Sequence, residues 1–275
     1  EVVALGQLHT FSDPAPAYAI LGEDQRIWGG RSFDGHTEKN RRCMESFFFL
    51  PQIELIRFDD TWSLAVNLSP DRVASINALN KLSVDAAILA PLSAHIEQIN
   101  HVPEREQWGG LVEKVLKGIS DEEYKKVVLA RKTTLKLDAP ICAAQLLKAS
   151  YLQNHHSFHF MLVLDSKHSF IGSTPERLYS RYGTELDTEA LAGTIGCGEN
   201  ATEDMELANW LSQDTKNLND NQYVVDDIVA RLTPHSRSVP VEKEARLFSL
   251  RKVQHLTHTI PAQLNTCGEG RHLTY

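Results

Sequence analysis

The chain has 275 residues, 42% of them hydrophobic, which is enough for a large core in one big domain or two ordinary ones. Its net charge is −8 and its lysines and arginines are scattered, which excludes the concentrated basic surface typical of nucleic-acid-binding proteins. The longest apolar runs are far shorter than the roughly 20 residues of a membrane span, and no basic-then-apolar leader opens the sequence.

Cysteine spacing indicates the compartment. The four cysteines are widely separated and form no C-x-x-C pair: Cys43, Cys142, Cys197 and Cys267. In a chain of this length the pattern is typical of reduced thiols rather than of a disulfide framework. We therefore expect a cytoplasmic protein with no membrane partner.

The first hundred residues predict mainly strands, because short apolar or alternating runs are separated by Gly, Asp and Pro. These runs are Tyr18–Leu21, Gln25–Trp28, Phe47–Phe58 and Thr61–Leu68. A helix is then predicted from Ser69 to about Leu82, with Ser69 as its cap and Pro70 in its first turn.

The next segment predicts a helix, a strand and a second helix. Apolar residues at helical spacing follow Pro103, and Gly118 is expected to end that helix. The β-rich run Lys126–Leu135 predicts a strand, and Pro140–Leu152 predicts the second helix.

Beyond residue 155 the predicted strands and helices come in groups rather than in strict alternation. The predicted strands are Phe158–Leu164, Ser169–Gly172, Leu178–Tyr182, Glu185–Ala192 and Ser238–Phe248, and Val253–Ile260 keeps no assigned type. Helices are predicted from Thr202 and from about Asp214 to Leu232. Such grouping is typical of a mixed α/β or α+β fold with large, mostly antiparallel sheets and helices packed outside.

Common catalytic and metal-binding motifs are missing from the sequence. It contains no glycine-rich phosphate loop, no H-E-x-x-H and no G-x-S-x-G. His155, His156 and His159 form a local cluster, but a strand over Phe158–Leu164 does not bring them to one face. Packing or solvent exposure is therefore favoured over a zinc site.

Three phrases stand out, and singly each is typical of an ordinary strand, turn or strand end. They are Lys126–Arg131, Gly172–Leu178 and Thr188–Thr194. Together and in this order they resemble the chorismate-utilising enzymes, a family of isochorismate, salicylate, anthranilate and aminodeoxychorismate synthases. Two further phrases, Lys216–Ile228 and Leu250–Leu256, extend the resemblance. It implies one chorismate-binding-type domain, with a divergent part at residues 1–102 and the catalytic core at 103–275.

The resemblance implies a catalytic pair. Lys126 matches the family's general base, which activates a water to attack carbon 2 of chorismate. Glu176 matches the general acid, which protonates the hydroxyl that leaves carbon 4 and so yields isochorismate. Lys126 must be neutral when it accepts a proton and Glu176 must carry one, and burial and neighbouring charges control both states.

Further positions match residues of the family's substrate pocket. Leu191 lies where the subgroups differ in bulk, and Ala192 replaces the nucleophilic lysine of aminodeoxychorismate synthases. Gly193 and Thr194 are expected to offer backbone amides to the substrate. His255 matches a histidine beside the substrate, which is tied to pyruvate elimination in the members that perform it.

The resemblance also implies Mg²⁺, a hard cation suited to the two carboxylates of chorismate. One family ligand is a glutamate in the helix phrase, and here that position is Asp220, whose side chain is one methylene shorter. The alternatives are direct coordination by Asp220, coordination through water, and a solvated helix residue.

Family members continue well beyond the position of Tyr275, with a substrate-binding Tyr and Arg, a Gly-rich loop and the second magnesium carboxylate. We therefore expect a core that is incomplete at its C-terminus, and residues 1–275 alone to have little activity.

Within the family, the phrases Arg251–Leu256 and Glu189–Thr194 are most similar to isochorismate synthases of menaquinone biosynthesis, for which we expect a monomer. Siderophore-type isochorismate synthase and salicylate synthase are the alternative enzymes. A non-catalytic fragment that keeps the fold is the alternative of another class.

Overall fold

A computed structural model describes residues 1–33, 46–83 and 88–267, and Cys43 lies outside them. These residues form two compact units, Glu1–Ile88 and Leu89–Cys267. No helix within the described ranges is long and apolar enough to cross a membrane. The predicted organisation, one domain with a divergent part at residues 1–102 and the catalytic core at 103–275, stays a prediction.

In its described residues, the first unit has two antiparallel three-stranded sheets and two helices. Its elements are β1 (Val2–Leu5), β2 (His9–Phe11), α1 (Ala15–Tyr18), β3 (Trp28–Arg31), β4 (Ser46–Leu50), β5 (Ile53–Phe58), β6 (Thr61–Val66) and α2 (Arg72–Asn80). The strand orders are β1-β5-β6 and β2-β4-β3. The strand predicted at Tyr18–Leu21 is wrong, because Asp13 accepts the Ala15 amide at 2.8 Å and Pro16 suits the first turn of α1.

The second unit contains three antiparallel sheets. Its elements are β7 (Ile96–Val102), α3 (Arg105–Ser120), β8 (Lys132–Leu137), α4 (Ala143–Gln153), β9 (Phe158–Asp165), β10 (His168–Thr174), β11 (Ser180–Tyr182), β12 (Glu185–Gly196), α5 (Ala201–Gln213), α6 (Thr215–Leu232), β13 (Ser236–Ser238), β14 (Arg246–Ser249) and β15 (Val253–Leu264). Strands β7 and β8 form one two-stranded sheet, and β9 and β10 form another. The larger sheet has the order β11-β12-β15-β13, and β14 pairs with β15 as well. The predicted fold class is confirmed.

Alternation builds the core of the larger sheet. Every second residue of β15 is buried: Gln254, Leu256, His258, Ile260, Ala262 and Leu264. Residues of a strand point alternately to its two faces, so these six share one face. Val225 of α6 packs there against Ala190 of β12 and Ile260. The alternating burial shows that Val253–Ile260, which the sequence left without an assigned type, belongs to a strand.

Three predictions differ from the structure from α3 onwards. The strand predicted at Ser238–Phe248 is interrupted, because only its two ends belong to β13 and β14. The strand predicted at Lys126–Leu135 forms only from Lys132, which pairs with Val102. Residues 126–131 pair with no described strand, and Val128 is 80% exposed. A β-rich run becomes a strand only where a neighbour completes the hydrogen-bond ladder. Gly118 does not end α3; it is buried where any side chain would overlap the Tyr124 ring.

Candidate active site

Strand β12 carries an irregularity at the four residues predicted to bind substrate, Leu191–Thr194. The strand pairs in register with β15 as far as Leu191 opposite Thr257, and then the register shifts. Pairing resumes at Thr194, which lies opposite His255. A shift of this kind is a β-bulge, which bends a strand and re-aims its side chains, and such bulges are frequent next to active sites.

Glycine is required at position 193. Gly193 has a φ of +87°, in the left-handed region that residues with a side chain rarely adopt. A Cβ atom there would lie 3.1 Å from Leu256 Cδ1 and 3.2 Å from the Asn217 carbonyl oxygen. The bulge therefore lies directly against the first turns of α6.

A single buried amide fastens α6 to this bulge. Asn221 is fully buried, and its Nδ2 donates to the carbonyls of Ala190, Ala192 and Leu256 at 3.0 to 3.1 Å. Its Oδ1 accepts a 2.6 Å hydrogen bond from Nδ1 of the buried His258. Because every polar atom of Asn221 has a partner, the network specifies one arrangement of α6, β12 and β15.

Asp220 precedes this amide and is carried on the same turn of α6. Its carboxylate is 26% exposed and forms a 2.6 Å ion pair with Lys216, whose side chain is 76% exposed. An ion pair with so exposed an amine contributes little to stability, so a cation can replace it at small cost. Asp220 is therefore carried one residue before the amide that contacts the bulge, and its carboxylate is partly exposed.

The charge of Glu176 acts on His255, the residue that pairs with the end of the bulge. The Thr194 hydroxyl lies 2.8 Å from His255 Nδ1. Burial lowers the pKa of His255 below its usual value, and the negative charge of Glu176 acts in the opposite direction. The Glu176 carboxylate therefore lies within electrostatic reach of the His255 ring, although it follows β10 and the histidine belongs to β15.

The turn that carries Glu176 is held on both sides. Its amide donates to the Thr174 hydroxyl at 3.1 Å, and the Leu178 carbonyl accepts a 2.6 Å hydrogen bond from the buried Thr188 of β12. The Glu176 side chain itself is exposed. The backbone is thus fixed while the carboxyl group stays accessible to a ligand.

In the described parts of the chain, no polar contact ties Lys126 to these residues. It lies half-buried in the unpaired segment between α3 and β8. Among residues 1–33, 46–83 and 88–267, no hydrogen bond or ion pair joins its amine to Glu176, Thr194 or His255. The structure thus places His255 opposite the bulge and within reach of the charge of Glu176, while Asp220 lies on the helix that packs against the bulge. The place of Lys126 opposite Glu176 stays a prediction.

A Mg²⁺ site requires oxygen ligands, above all carboxylates. Within the described parts of the chain, no group of three or more His, Cys, Asp or Glu side chains is placed to hold a metal. Mg²⁺, however, is usually bound by one or two carboxylates, with waters and substrate oxygens completing its shell. Asp220 fits the role of one such carboxylate.

Asn221 and His258 were missed in the sequence. The available signal was a pair of polar residues at positions where the helical and strand periods predict the core. Asn is a poor residue for a helix interior, so its place there calls for a tertiary reason. That reason is the set of carbonyls at the bulge, which the sequence alone does not show.

Stability is expected to fall as the pH drops below about 6.5. Burial lowers the folded-state pKa values of His255 and His258, while the charges of Glu176 and Glu242, respectively, act in the opposite direction. Below 6.5 the unfolded chain binds protons that the folded chain still excludes, so the free energy of unfolding decreases until the folded pKa values are passed.

His258→Asn tests the contribution of His258, because its amide keeps a donor for Asn221 but no longer titrates. Urea unfolding at about pH 7.5, 6.5 and 5.5 is expected to show a smaller decrease in the variant than in the wild type. Equal decreases would show that His258 does not contribute.

Known proteins match nearly the whole chain. The model of a family described as chorismate binding enzyme matches residues 12–271. The chain is 34% identical to isochorismate synthase MenF of Pasteurella multocida over 273 residues, which are 97% of this chain and 61% of that protein. It is 33% identical to isochorismate synthase MenF of Escherichia coli over 275 residues, 96% of this chain and 62% of that protein.

Solved structures agree with these matches. The menaquinone-specific isochorismate synthase MenF from Escherichia coli matches with a TM-score of 0.85 at 32% identity, over 96% of this chain and 62% of that one. Anthranilate synthase component I from Streptococcus pneumoniae, at 16% identity and a TM-score of 0.67 over 96% of this chain and 68% of that one, shares the fold. The chain spans about three fifths of the length of the MenF relatives. It belongs to the chorismate binding enzyme family.

Proposed function

We propose that this protein is a Mg²⁺-dependent isochorismate synthase of menaquinone biosynthesis, which isomerises chorismate to isochorismate. The observation that carries the proposal is the β-bulge at Gly193, where Thr194 is hydrogen-bonded to His255 and the charge of Glu176 raises the pKa of that histidine. The similarity to two MenF isochorismate synthases supports the choice of reaction within the family.

In the proposed reaction Lys126 takes a proton from water while the water oxygen forms a bond to carbon 2 of chorismate. The ring double bonds shift and the bond between carbon 4 and its oxygen breaks. Glu176 gives its proton to the departing hydroxyl, which leaves as water. One water enters and one leaves, so the product is an isomer, and Lys126 and Glu176 return to their starting protonation states through solvent.

The bulge and His255 are proposed to orient the ring. Gly193 and Thr194 would present backbone amides to a carboxylate of the substrate, and Leu191 and Ala192 would set the width of the pocket. The Thr194 hydroxyl holds His255 by its Nδ1, which fixes the imidazole plane beside the substrate. These groups position the ring between the acid and the base, where correct geometry supplies a large part of catalysis.

Mg²⁺ would be held in part by Asp220. When bound, it would neutralise a substrate carboxylate, which an acidic protein of net charge −8 otherwise repels. Asp220 would exchange its exposed partner Lys216 for the cation. The scattered basic residues and the short apolar runs support chorismate, rather than nucleic acid or a membrane, as the partner. A monomer in the cytoplasm is part of the same proposal.

Product identity tests the proposal. The protein at its full natural length, incubated with chorismate and Mg²⁺ and followed by proton NMR, is expected to give a reversible mixture of chorismate and isochorismate. Chelation of Mg²⁺ by EDTA should stop the conversion. Salicylate with released pyruvate would instead establish a salicylate synthase, the second candidate, which the histidine at position 255 favours. Unchanged chorismate would leave a non-catalytic protein with the family fold.

A further inference from the structure

A closed ring of hydrogen bonds joins the end of α4 to the β9–β10 hairpin. The Ser173 hydroxyl lies 2.7 Å from His159 Nδ1 and 2.7 Å from the Ser150 hydroxyl. Asn154 Nδ2 lies 3.1 Å from the Ser150 hydroxyl, and His159 Nε2 lies 3.0 Å from the Asn154 carbonyl. Four residues from a helix end and two strands therefore share one polar network.

The direction of each hydrogen bond follows from its partner. The Asn154 carbonyl only accepts, so His159 Nε2 carries the hydrogen and Nδ1 of the neutral ring is an acceptor. The Ser173 hydroxyl then donates to His159, the Ser150 hydroxyl donates to Ser173, and the Asn154 amide donates to Ser150. No donor or acceptor conflicts with another, and such a chain of bonds strengthens its members.

Ser173 is the link between this ring and the proposed acid. It pairs with His159 across the β9–β10 hairpin. The next residue is Thr174, whose hydroxyl accepts a hydrogen bond from the Glu176 amide. The other side of the turn is fixed by the bond from Thr188 to the Leu178 carbonyl. The ring therefore anchors the β10 side of the turn, and the larger sheet anchors the opposite side.

We propose that His159 is a positioning residue for the general acid, acting through Ser173 on the backbone that carries Glu176. This inference rests on the proposed function of Glu176. His159 does not contact the reacting atoms in this scheme; it sets where the carboxyl group points. Proton transfer depends steeply on geometry, and a displacement of about 1 Å can cost about 100-fold in rate.

Two substitutions of one residue separate the two bonds of His159. In His159→Asn the amide oxygen lies close to the former Nδ1 and still accepts from Ser173. In His159→Gln the amide nitrogen lies close to the former Nε2 and keeps only the bond to Asn154. Ser173→Ala removes the link itself, and Ser157→Ala is the control, because the Ser157 hydroxyl donates to the His155 carbonyl at 3.4 Å outside the ring.

We expect kcat to fall about 10- to 100-fold in Ser173→Ala and His159→Gln with KM unchanged, and to stay near wild type in His159→Asn and Ser157→Ala. Amide hydrogen exchange of residues 172–178 gives a readout that does not depend on activity. Exchange should be faster in the first pair of variants and unchanged in the second pair.

Equal losses of kcat in His159→Asn and His159→Gln would overturn the inference, as would a Ser173→Ala variant with unchanged kcat and exchange. In both cases the wild type is active and the proposed function stands. A wild type that does not convert chorismate overturns the proposed function, and the positioning role of His159 fails with it.

Discussion

Replacing Lys126 by methionine is expected to lower kcat for chorismate about 10²- to 10⁴-fold, the usual contribution of a general base. Methionine keeps much of the apolar stem but has no amine, so the attacking water has no group to take its proton. KM should stay near the wild-type value, because in this scheme the base acts on water rather than holding the substrate. Initial rates of isochorismate formation measure both constants.

Lys125→Met is the matched control, because Lys125 is the neighbouring, exposed lysine of the same segment. Its kcat should remain within about twofold of wild type, since an exposed substitution away from a site changes little. A Lys126→Met protein with more than about a tenth of the wild-type kcat would contradict the assignment of Lys126 as the base.

Replacing Glu176 by glutamine is the second substitution with a large expected effect. Glutamine has the shape of a protonated glutamate but does not release a proton to the leaving hydroxyl, so kcat should fall about 10²- to 10⁴-fold. The exposed position of Glu176 predicts that folding is unaffected. The loss is therefore expected in the chemical step.

The same variant tests the geometry without any turnover. The charge of Glu176 raises the pKa of His255 against the lowering caused by burial. Removing that charge should lower the pKa of His255 further, which NMR titration of the imidazole measures. The exposed Glu244, replaced by glutamine, should leave this pKa unchanged. An unchanged pKa of His255 in Glu176→Gln would mean that the carboxylate does not face the ring.

Local pattern was sufficient to predict much of the larger sheet, whereas the candidate site was named only by the resemblance to the family. Glu185–Ala192 forms the major part of β12, and the helix predicted from about Asp214 to Leu232 is α6. The resemblance named Glu176, Leu191–Thr194 and His255 from phrases far apart in the chain. The fold brings Leu191–Thr194 beside His255 because β12 pairs with β15 along nearly its whole length.

Long-range contacts explain what the sequence did not predict. The strand expected at Lys126–Leu135 needs a pairing partner, and its pairing with β7 begins only where Lys132 lies opposite Val102. Residues 126–131 therefore stay unpaired. Asn221 gains its role from carbonyls on two different strands. The His159 ring depends on a helix end and a hairpin meeting. None of these contacts leaves a periodic signal in the chain.

Oxygen labelling tests the central claim most directly, namely that a water activated by Lys126 adds at carbon 2 while Glu176 helps the carbon 4 hydroxyl to leave. Chorismate is incubated with the active protein in H₂¹⁸O and the product is examined by mass spectrometry and carbon-13 NMR. At early conversion we expect one ¹⁸O in isochorismate, on carbon 2. Isochorismate without solvent oxygen would mean that the hydroxyl migrates within the substrate, and the roles proposed for Lys126 and Glu176 would be wrong.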